Sequence, residues 1–297
     1  MSLDVEPTAP ATGATPSTPS VPARRGRRWR LTDLLSMVWL VLLVLSMLLL
    51  PTVLGLDDQT MAAADRLSGP SAAHLLGTDN YGRDLLARAL SGARVSLVIG
   101  FGSVAAAAVV GVPLGMLAGY LRGRLDAVVS FVVDVILAFP GLILALALAS
   151  FLGASITNVL LAITVPMTPV FIRLAKAQTL AVAGREYVEA SLVIGTPARS
   201  ILWRDVLPNI RAAVLAYALV SIGTAILIEG GLSFLGLGVP SPQPSWGSMI
   251  NLGRSFIAND PLLVVVPAAF MLLTILSLNL LADRFLSGAD AVTGGVR

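Results

Sequence analysis

Arg185-Glu186-Tyr187-Val188-Glu189-Ala190-Ser191-Leu192-Val193-Ile194-Gly195-Thr196-Pro197 stands between two apolar runs, 156–174 and 209–230. Its first eleven residues read as a helix ending at Gly195, because glycine tolerates the left-handed conformation of a helix C-terminus. Thr196-Pro197 then opens a second helix, with Thr as N-cap and Pro at the first helical position. Ile201, Leu202 and Val206 share one apolar side of it, and Leu207-Pro208-Asn209 ends it. The product is a helix–turn–helix elbow, part apolar and part charged. Such an elbow either docks into a groove on a soluble partner or lies on the headgroups as an ordinary solvated loop. The residues by themselves leave both open.

The flanking runs decide the fold class. About 20 helical residues cross the roughly 30 Å of hydrocarbon in a bilayer. Runs of that order recur at 34–50, 95–121, 127–152 and 261–282, giving six in all. The expectation is an all-α membrane protein with six transmembrane helices, five forming the core and the first peripheral. Composition agrees: 56% of the 297 residues are hydrophobic and 12% are charged, where a soluble domain carries about 25% charged residues. Gly111, Pro113, Gly115, Pro140, Pro166 and Pro169 fall within the runs, and neighbouring helices accommodate them as kinks or close contacts. No internal repeat is visible, which weighs against carriers built from two related halves.

With the N-terminus inside, 15 of the 20 basic residues lie on the cytoplasmic side and 5 outside. That bias is the positive-inside pattern, and it gives an N-in, C-in orientation. Residues 1–23 are rich in Pro, Ala, Thr and Ser and read as a disordered tail, followed by Arg24, Arg25, Arg27, Arg28 and Arg30. A basic flank before an apolar run also suits a signal peptide, but this run is long and the alanines at 62–64 lie too far beyond it for cleavage. An uncleaved first helix is expected. The chain thus divides into a basic tail (1–30), a first helix with an extracytoplasmic segment (31–94), a five-helix core (95–285) with a cytoplasmic loop (175–208), and a C-terminal tail (286–297).

Several chemistries are excluded. The chain has no cysteine, hence no disulfide, thiol nucleophile or thiolate metal site. His74 is the single histidine and cannot form a multi-histidine metal centre unaided. Lys176 is the single lysine and follows Ala175, whereas a phosphate-binding loop needs glycine before its lysine. ATP, if used, is bound by another polypeptide. The arginines are scattered, with no basic surface of the kind that binds nucleic acid.

Three further stretches stand out. Gly77-Thr78-Asp79-Asn80-Tyr81-Gly82-Arg83-Asp84 has the chemistry of a tight loop and leads into 85–97, expected as a capped, partly amphipathic helix on the membrane surface. Asp79 and Asp84 lack the partners that acid–base catalysis requires. The stretch 232–249, with Ser233, Gly236, Gly238, Pro240 and Trp246, reads as a glycine- and proline-rich loop with a kinked entry to the last span. Asp134 and Glu229 fall within apolar runs. A carboxylate at the membrane centre costs roughly 2.5–3.5 kcal/mol, so each must face the bundle interior or water. They serve either as an interhelical hydrogen bond or ion pair, or as a polar lining or proton-coupling group.

These texts resemble one family. Glu189-Ala190-Ser191, then Gly195, then Val206-Leu207-Pro208, is similar to the EAA loop of ABC-importer permeases, with Ser191 and Val206 as mild departures. Gly77-Thr78-Asp79, Gly82-Arg83-Asp84, the run from Asp134 to Pro140 and the stretch 232–249 resemble the C-type permease subunit of dipeptide, oligopeptide and nickel importers; Ala87 stands where serine is usual. The resemblance covers about residues 75–285. It implies a type I importer permease (MetI-like) fold in the bacterial plasma membrane and no catalysis by this chain. Glu189, Ala190, Gly195, Leu207 and Pro208 would couple it to an ATPase. Gly77, Asp79, Gly82, Arg83, Asp84, Ser233, Gly236, Gly238 and Trp246 would belong to an outer gate. The implied partners are a B-type permease, one or two ATPase subunits carrying ATP and magnesium, and an extracytoplasmic solute-binding protein. This chain itself would bind no cofactor and no metal. The substrate implied is a di- or oligopeptide. The contrasting reading, from the charges alone, is an ion- or proton-coupled carrier using Asp134 and Glu229.

Overall fold

From Ser103 onward a small residue returns every fourth position: Ser103, Ala107, Gly111, Gly115, Gly119. One face of a helix without bulk lets another backbone approach closely, and in lipid such contact holds helices together. The computed structural model, which describes residues 31–53, 55 and 57–293, places this stripe on α2 (Leu85–Leu121) against α5 (Ile156–Ala183). At Gly115 a Cβ would sit 2.4 Å from the carbonyl oxygen of Ile172, so only glycine fits.

The seam also sets the chain direction. Ser103 Oγ donates to the Leu160 carbonyl at 3.2 Å, Gly111 faces Thr168 and Phe171, and Gly119 faces Lys176 and Thr179. Numbers rise together, so α2 and α5 run parallel. The connection must therefore carry the chain back along the seam from Gly119 to Ser103, a return of about 24 Å at 1.5 Å per residue. It does so through α3 (Gly123–Leu137) and α4 (Gly141–Leu152), which meet at 84°. The single span expected at 127–152 is thus a bent pair. Pro140 has no N–H, and its ring disfavours helical backbone at Phe139, so the turn falls there.

The elbow follows as α6 (Glu186–Val193) and the short α7 (Ala198–Ser200). A π-helical segment (Ile201–Val206) then leads without a break into α8 (Leu207–Phe234). α8 runs antiparallel to α2: Gly100 meets Ile222 and Ile226, and Ser96 meets Glu229. After a loop come α9 (Trp246–Gly253) and α10 (Leu262–Thr293), the latter antiparallel to α8 through Gly223 against Ile275 and Gly230 against Met271. α1 (Leu31–Val53) packs on α10. Trp39 donates to Thr274 at 3.2 Å and Arg284 pairs with Asp33 at 2.9 Å, so the first and last helices are antiparallel, with the start of α1 beside the later part of α10.

Among the described residues five helices are long and apolar enough to cross a membrane, and the bent pair brings the number to six if it is counted as one span. α1 is the peripheral one, as expected. Three boundaries differ from the sequence reading. The helix expected on the membrane surface at 85–97 is the first turns of α2 itself, since Asp84 caps one unbroken helix of 37 residues. No break occurs at Leu207-Pro208-Asn209, where the preceding π turn accommodates a proline that an α-helix would reject. The last helix continues through 286–293, expected as tail. The tail 1–30 lies outside the described residues, as does 294–297.

Gly115→Ala is expected to lower the stability of the detergent-purified chain by about 1–3 kcal/mol through overpacking. Gly184→Ala, where a Cβ meets nothing within 4 Å, is expected to leave it unchanged. Thermal unfolding of the two variants side by side measures the difference.

Candidate functional site

At one end of the bundle lies the elbow. α6 closes as the residues require. Gly195 takes φ +82°, its N–H donates to the Leu192 carbonyl at 3.0 Å, and the Thr196 N–H donates to the Ser191 carbonyl at 3.0 Å. This is the paired bonding of a Schellman turn. The next helix starts differently from expectation. Pro197, not Thr196, occupies the N-cap, and no side chain caps α7. Proline can do this because it brings no N–H to satisfy. Val188, Ile201, Leu202 and Val206 are buried beneath the elbow.

What remains outside is apolar. Val193 is 86% exposed and Ile194 81%, with Leu192 and Trp203 also exposed. Glu189 and Ala190 lie on the exposed side of α6. Leu207 is half-buried and Pro208 exposed at the start of α8. The structure therefore brings Glu189, Ala190 and Gly195 onto one protrusion, while Leu207 and Pro208 belong to the shaft beneath it.

At the opposite end the loop 77–84 folds against the top of α2. The Asp84 carboxylate accepts from the Ala87 N–H at 2.8 Å as N-cap and from His74 Nδ1 at 3.0 Å. Asp79 is the loop's organiser. One of its oxygens accepts the N–H groups of Tyr81 and Arg83 at 2.8 and 3.0 Å. The other holds Arg83 Nε at 2.8 Å and lies 3.4 Å from Arg88 Nε. Gly77 and Gly82 both take positive φ, which these turns demand. Asp79, Arg83, Asp84 and Arg88 are all buried. Their geometry is that of a built loop, and none is presented as an acid or base.

A second network lies close by. Glu229 is fully buried. Its carboxyl group accepts from Ser96 Oγ of α2 at 3.0 Å and from Ser233 Oγ of α8 at 2.6 Å. Ser245 Oγ donates to Ser233 Oγ at 3.2 Å, and the Trp246 N–H donates to Ser96 Oγ at 3.3 Å. The buried Trp246 indole also donates to the Ala89 carbonyl at 3.0 Å. One carboxyl group thus ties α2, α8 and α9 together. Gly238 lies against Ser233, whereas Gly236 takes positive φ in the loop with no atom near its Cβ position. Tyr81, Arg83, Arg88, Gly236, Gly238 and Asn251 are among the residues lining a cavity of about 400 Å³ between the two networks.

Asp134 stands apart from both ends. Arg173 Nη2 of α5 donates to its Oδ1 at 2.6 Å, so the interhelical ion pair, one of the two roles open in the sequence, is present. Sequence reasoning missed the partners: Ser96 and Ser233 for Glu229, with Ser245 behind Ser233, and Arg173 for Asp134. Ser245 carried a signal, a residue able to cap the apolar stretch that becomes α9; the structure gives it a capping box with Ser248.

Residues 111–289 match the family described as the binding-protein-dependent transport system inner membrane component. The chain belongs to that family. Curated relatives of this binding-protein-dependent permease include a dipeptide transport system permease protein, DppC, of Alkalihalophilus pseudofirmus, 38% identical over 76% of this chain and 75% of the relative. A glutathione transport system permease protein, GsiD, of Pectobacterium atrosepticum matches with the same identity and coverage. A probable D,D-dipeptide transport system permease protein, DdpC, of Escherichia coli is 37% identical over 84% of each chain. Among solved structures, a chain of the MetNI methionine ABC transporter in inward-facing conformations aligns with a TM-score of 0.58. It covers 69% of this chain and 96% of that one at 19% identity, a likeness of fold. The permease is accordingly a multi-pass inner-membrane transport subunit and not an enzyme.

Glu229→Ala is expected to destabilise the permease by roughly 1–3 kcal/mol, because buried serine hydroxyls lose their acceptor. Glu229→Gln retains an acceptor oxygen and is expected to lose less. Thermal unfolding of the purified subunit checks the order.

Proposed function

We propose that this permease forms one half of the translocation path of an ATP-driven importer of short peptides, and that its elbow is where an ATPase subunit engages. The observation that carries this reading is the exposed apolar tip of Leu192, Val193 and Ile194. A monomer seldom leaves such side chains clustered in water, and a partner groove is the usual reason. The elbow stands on Gly195, whose turn aims the tip away from the bundle. Glu189 and Ala190 border it, and Leu207 and Pro208 stand on the shaft beneath.

The orientation that suits this role is N-in and C-in, with the elbow in the cytoplasm and the Asp79 and Glu229 networks at the outer face. There Gly77, Asp79, Gly82, Arg83, Asp84, Ser233, Gly236, Gly238 and Trp246 border the outer gate, near where an extracytoplasmic solute-binding protein docks. A homologous B-type permease completes the path, and one or two ATPase subunits bind ATP and magnesium. This chain binds no cofactor. Relatives named for dipeptides, D,D-dipeptides and glutathione make a short peptide the substrate of choice. Physically, a partner can shift the permease between conformations only by its differential affinity for them, and the elbow gives ATPase closure a place to act.

The paired double substitution Val193→Asp with Ile194→Asp is expected to abolish both co-purification of the ATPase and peptide uptake. These side chains are exposed, so the bundle should still insert and fold. Retained uptake would refute the docking role. Uptake is also expected to survive a protonophore as long as ATP is maintained. Collapse under that treatment would instead support proton coupling through Asp134 or Glu229.

A further inference from the structure

Where α2 ends, arginines gather. α8 runs antiparallel to α2, with Ser96 bonded to Glu229 and Gly100 against Ile222 and Ile226. Leu121 lies 25 residues beyond Ser96 and Arg204 lies 25 before Glu229, so the last apolar residue of α2 is about level with the base of the α8 rod. Arg122 and Arg124 follow Leu121 directly, and Arg199 and Arg204 stand on either side of Trp203 in the chain. All four arginines are exposed, and none makes an ion pair among the described residues. Asp205, half-buried beside Arg204, is not ion-paired either. Uncompensated cations around a tryptophan, where an apolar helix gives way to polar chain, mark a membrane–water interface.

A groove of about 650 Å³ runs from this level along the side of the bundle. Its floor is α2 from Ala108 to Leu121, and its wall is Leu202, Trp203 and Leu207. Among the described residues Arg199 is the one charged group lining it. A shallower hollow of about 400 Å³, lined by Pro197, Arg199, Ser200, Trp203 and Arg204, adjoins it through the shared Arg199 and Trp203. An apolar trough thus opens into a cationic one. The trough extends about 20 Å along α2 at 1.5 Å per residue, comparable with the roughly 15 Å of hydrocarbon in one leaflet. An apolar helix of a partner would run on across the bilayer and leave the arginines unmatched. An acyl chain ends near mid-membrane and carries its charge at the other end. Length and charge both select a lipid.

We infer that this groove binds one anionic phospholipid, with an acyl chain along α2 and the phosphate on Arg199 and Arg204. Each part has its chemistry. Guanidinium groups hold phosphate oxygens through paired N–H bonds, the Ser200 hydroxyl adds a donor, and the Trp203 ring suits the boundary between hydrocarbon and headgroups. Basic pockets between membrane helices take anionic headgroups in this way. A zwitterionic lipid fits less well, because its ammonium meets the same arginines. The seated lipid touches α2 and the start of the α8 rod together, and so braces the elbow against the bundle. The site is independent of what the permease carries.

The test places the purified transporter in nanodiscs of phosphatidylethanolamine and phosphatidylglycerol, releases it, and counts the retained lipids by native mass spectrometry. Wild type is expected to retain phosphatidylglycerol enriched about tenfold or more over the surrounding bilayer, since each arginine near an anionic lipid changes affinity about fivefold. Arg199→Gln with Arg204→Gln is expected to bring the ratio down to that of the bilayer. Arg94→Gln with Arg254→Gln, an equal loss of charge at the other end of the bundle, is expected to leave the enrichment unchanged. Val109→Trp, from a position 73% exposed, fills the groove with the arginines intact and is expected to abolish the enrichment. Wild-type retention in the bilayer ratio would overturn the site. Enrichment that survives the substitutions at 199 and 204, or Val109→Trp, would put the lipid elsewhere on the complex and overturn it equally. A Val109→Trp chain that inserts but no longer assembles with its partner subunits would show that protein covers the groove, and would also overturn it.

Discussion

The close approach of α2 to α5 is the constraint on which the remaining architecture depends. Membrane helices gain little from burying apolar side chains against one another, since lipid is equally apolar; contact between backbones is what holds them. The stripe from Ser103 to Gly119 provides that contact, and it is parallel. A parallel pair obliges the intervening chain to recross, so the bent α3–α4 pair is a consequence of the seam as much as of Pro140. Once α2 is fixed, α8 packs antiparallel to it, α10 packs on α8, and α1 is left on the outside.

The two polar networks at the Asp79 and Glu229 end follow from that arrangement. α2 begins with a capped first turn and brings Arg88 and, about two turns further on, Ser96 to meet, respectively, the loop aspartate and the α8 carboxyl group. In both, a buried acid is matched by donors from elsewhere in the chain, which is the condition for placing an acid there at all. The contrast with the exposed Asp134–Arg173 pair between α3 and α5 is one of surroundings: identical residue types are enclosed by protein in one place and left exposed in the other.

Much of this was legible in the sequence because hydropathy is a one-dimensional property. The apolar runs, their number and the peripheral first helix could be read directly. The turn at Gly195 was legible as well, since its cause is local. What escaped was set by distant contacts. Pro208 looked like a terminator, yet the six-residue π segment before it carries the helix through. Pro140 read as a kink or close contact inside one span, without the 84° bend that splits 127–152 into two helices. Glu229 stood out as an anomaly, but its acceptor role depends on Ser96, 133 residues earlier. Asp134 likewise gave no hint of Arg173, because the pairing depends on how α3 leans on α5.

The uninterrupted passage from α7 through the π segment into α8 has a mechanical meaning. Ala198 and Glu229 sit on one rod, separated by roughly 47 Å of helical rise. A rod of that length, tilted by about 5° around its middle, moves its two ends some 2 Å in opposite directions. In the proposed coupling, a push on the elbow would therefore reach the serine-bound carboxyl group at the other end of the same rod, with no intermediate relay of side chains. The π turns lie near the base of this rod, and at its far end the buried Trp246 is hydrogen-bonded to α2.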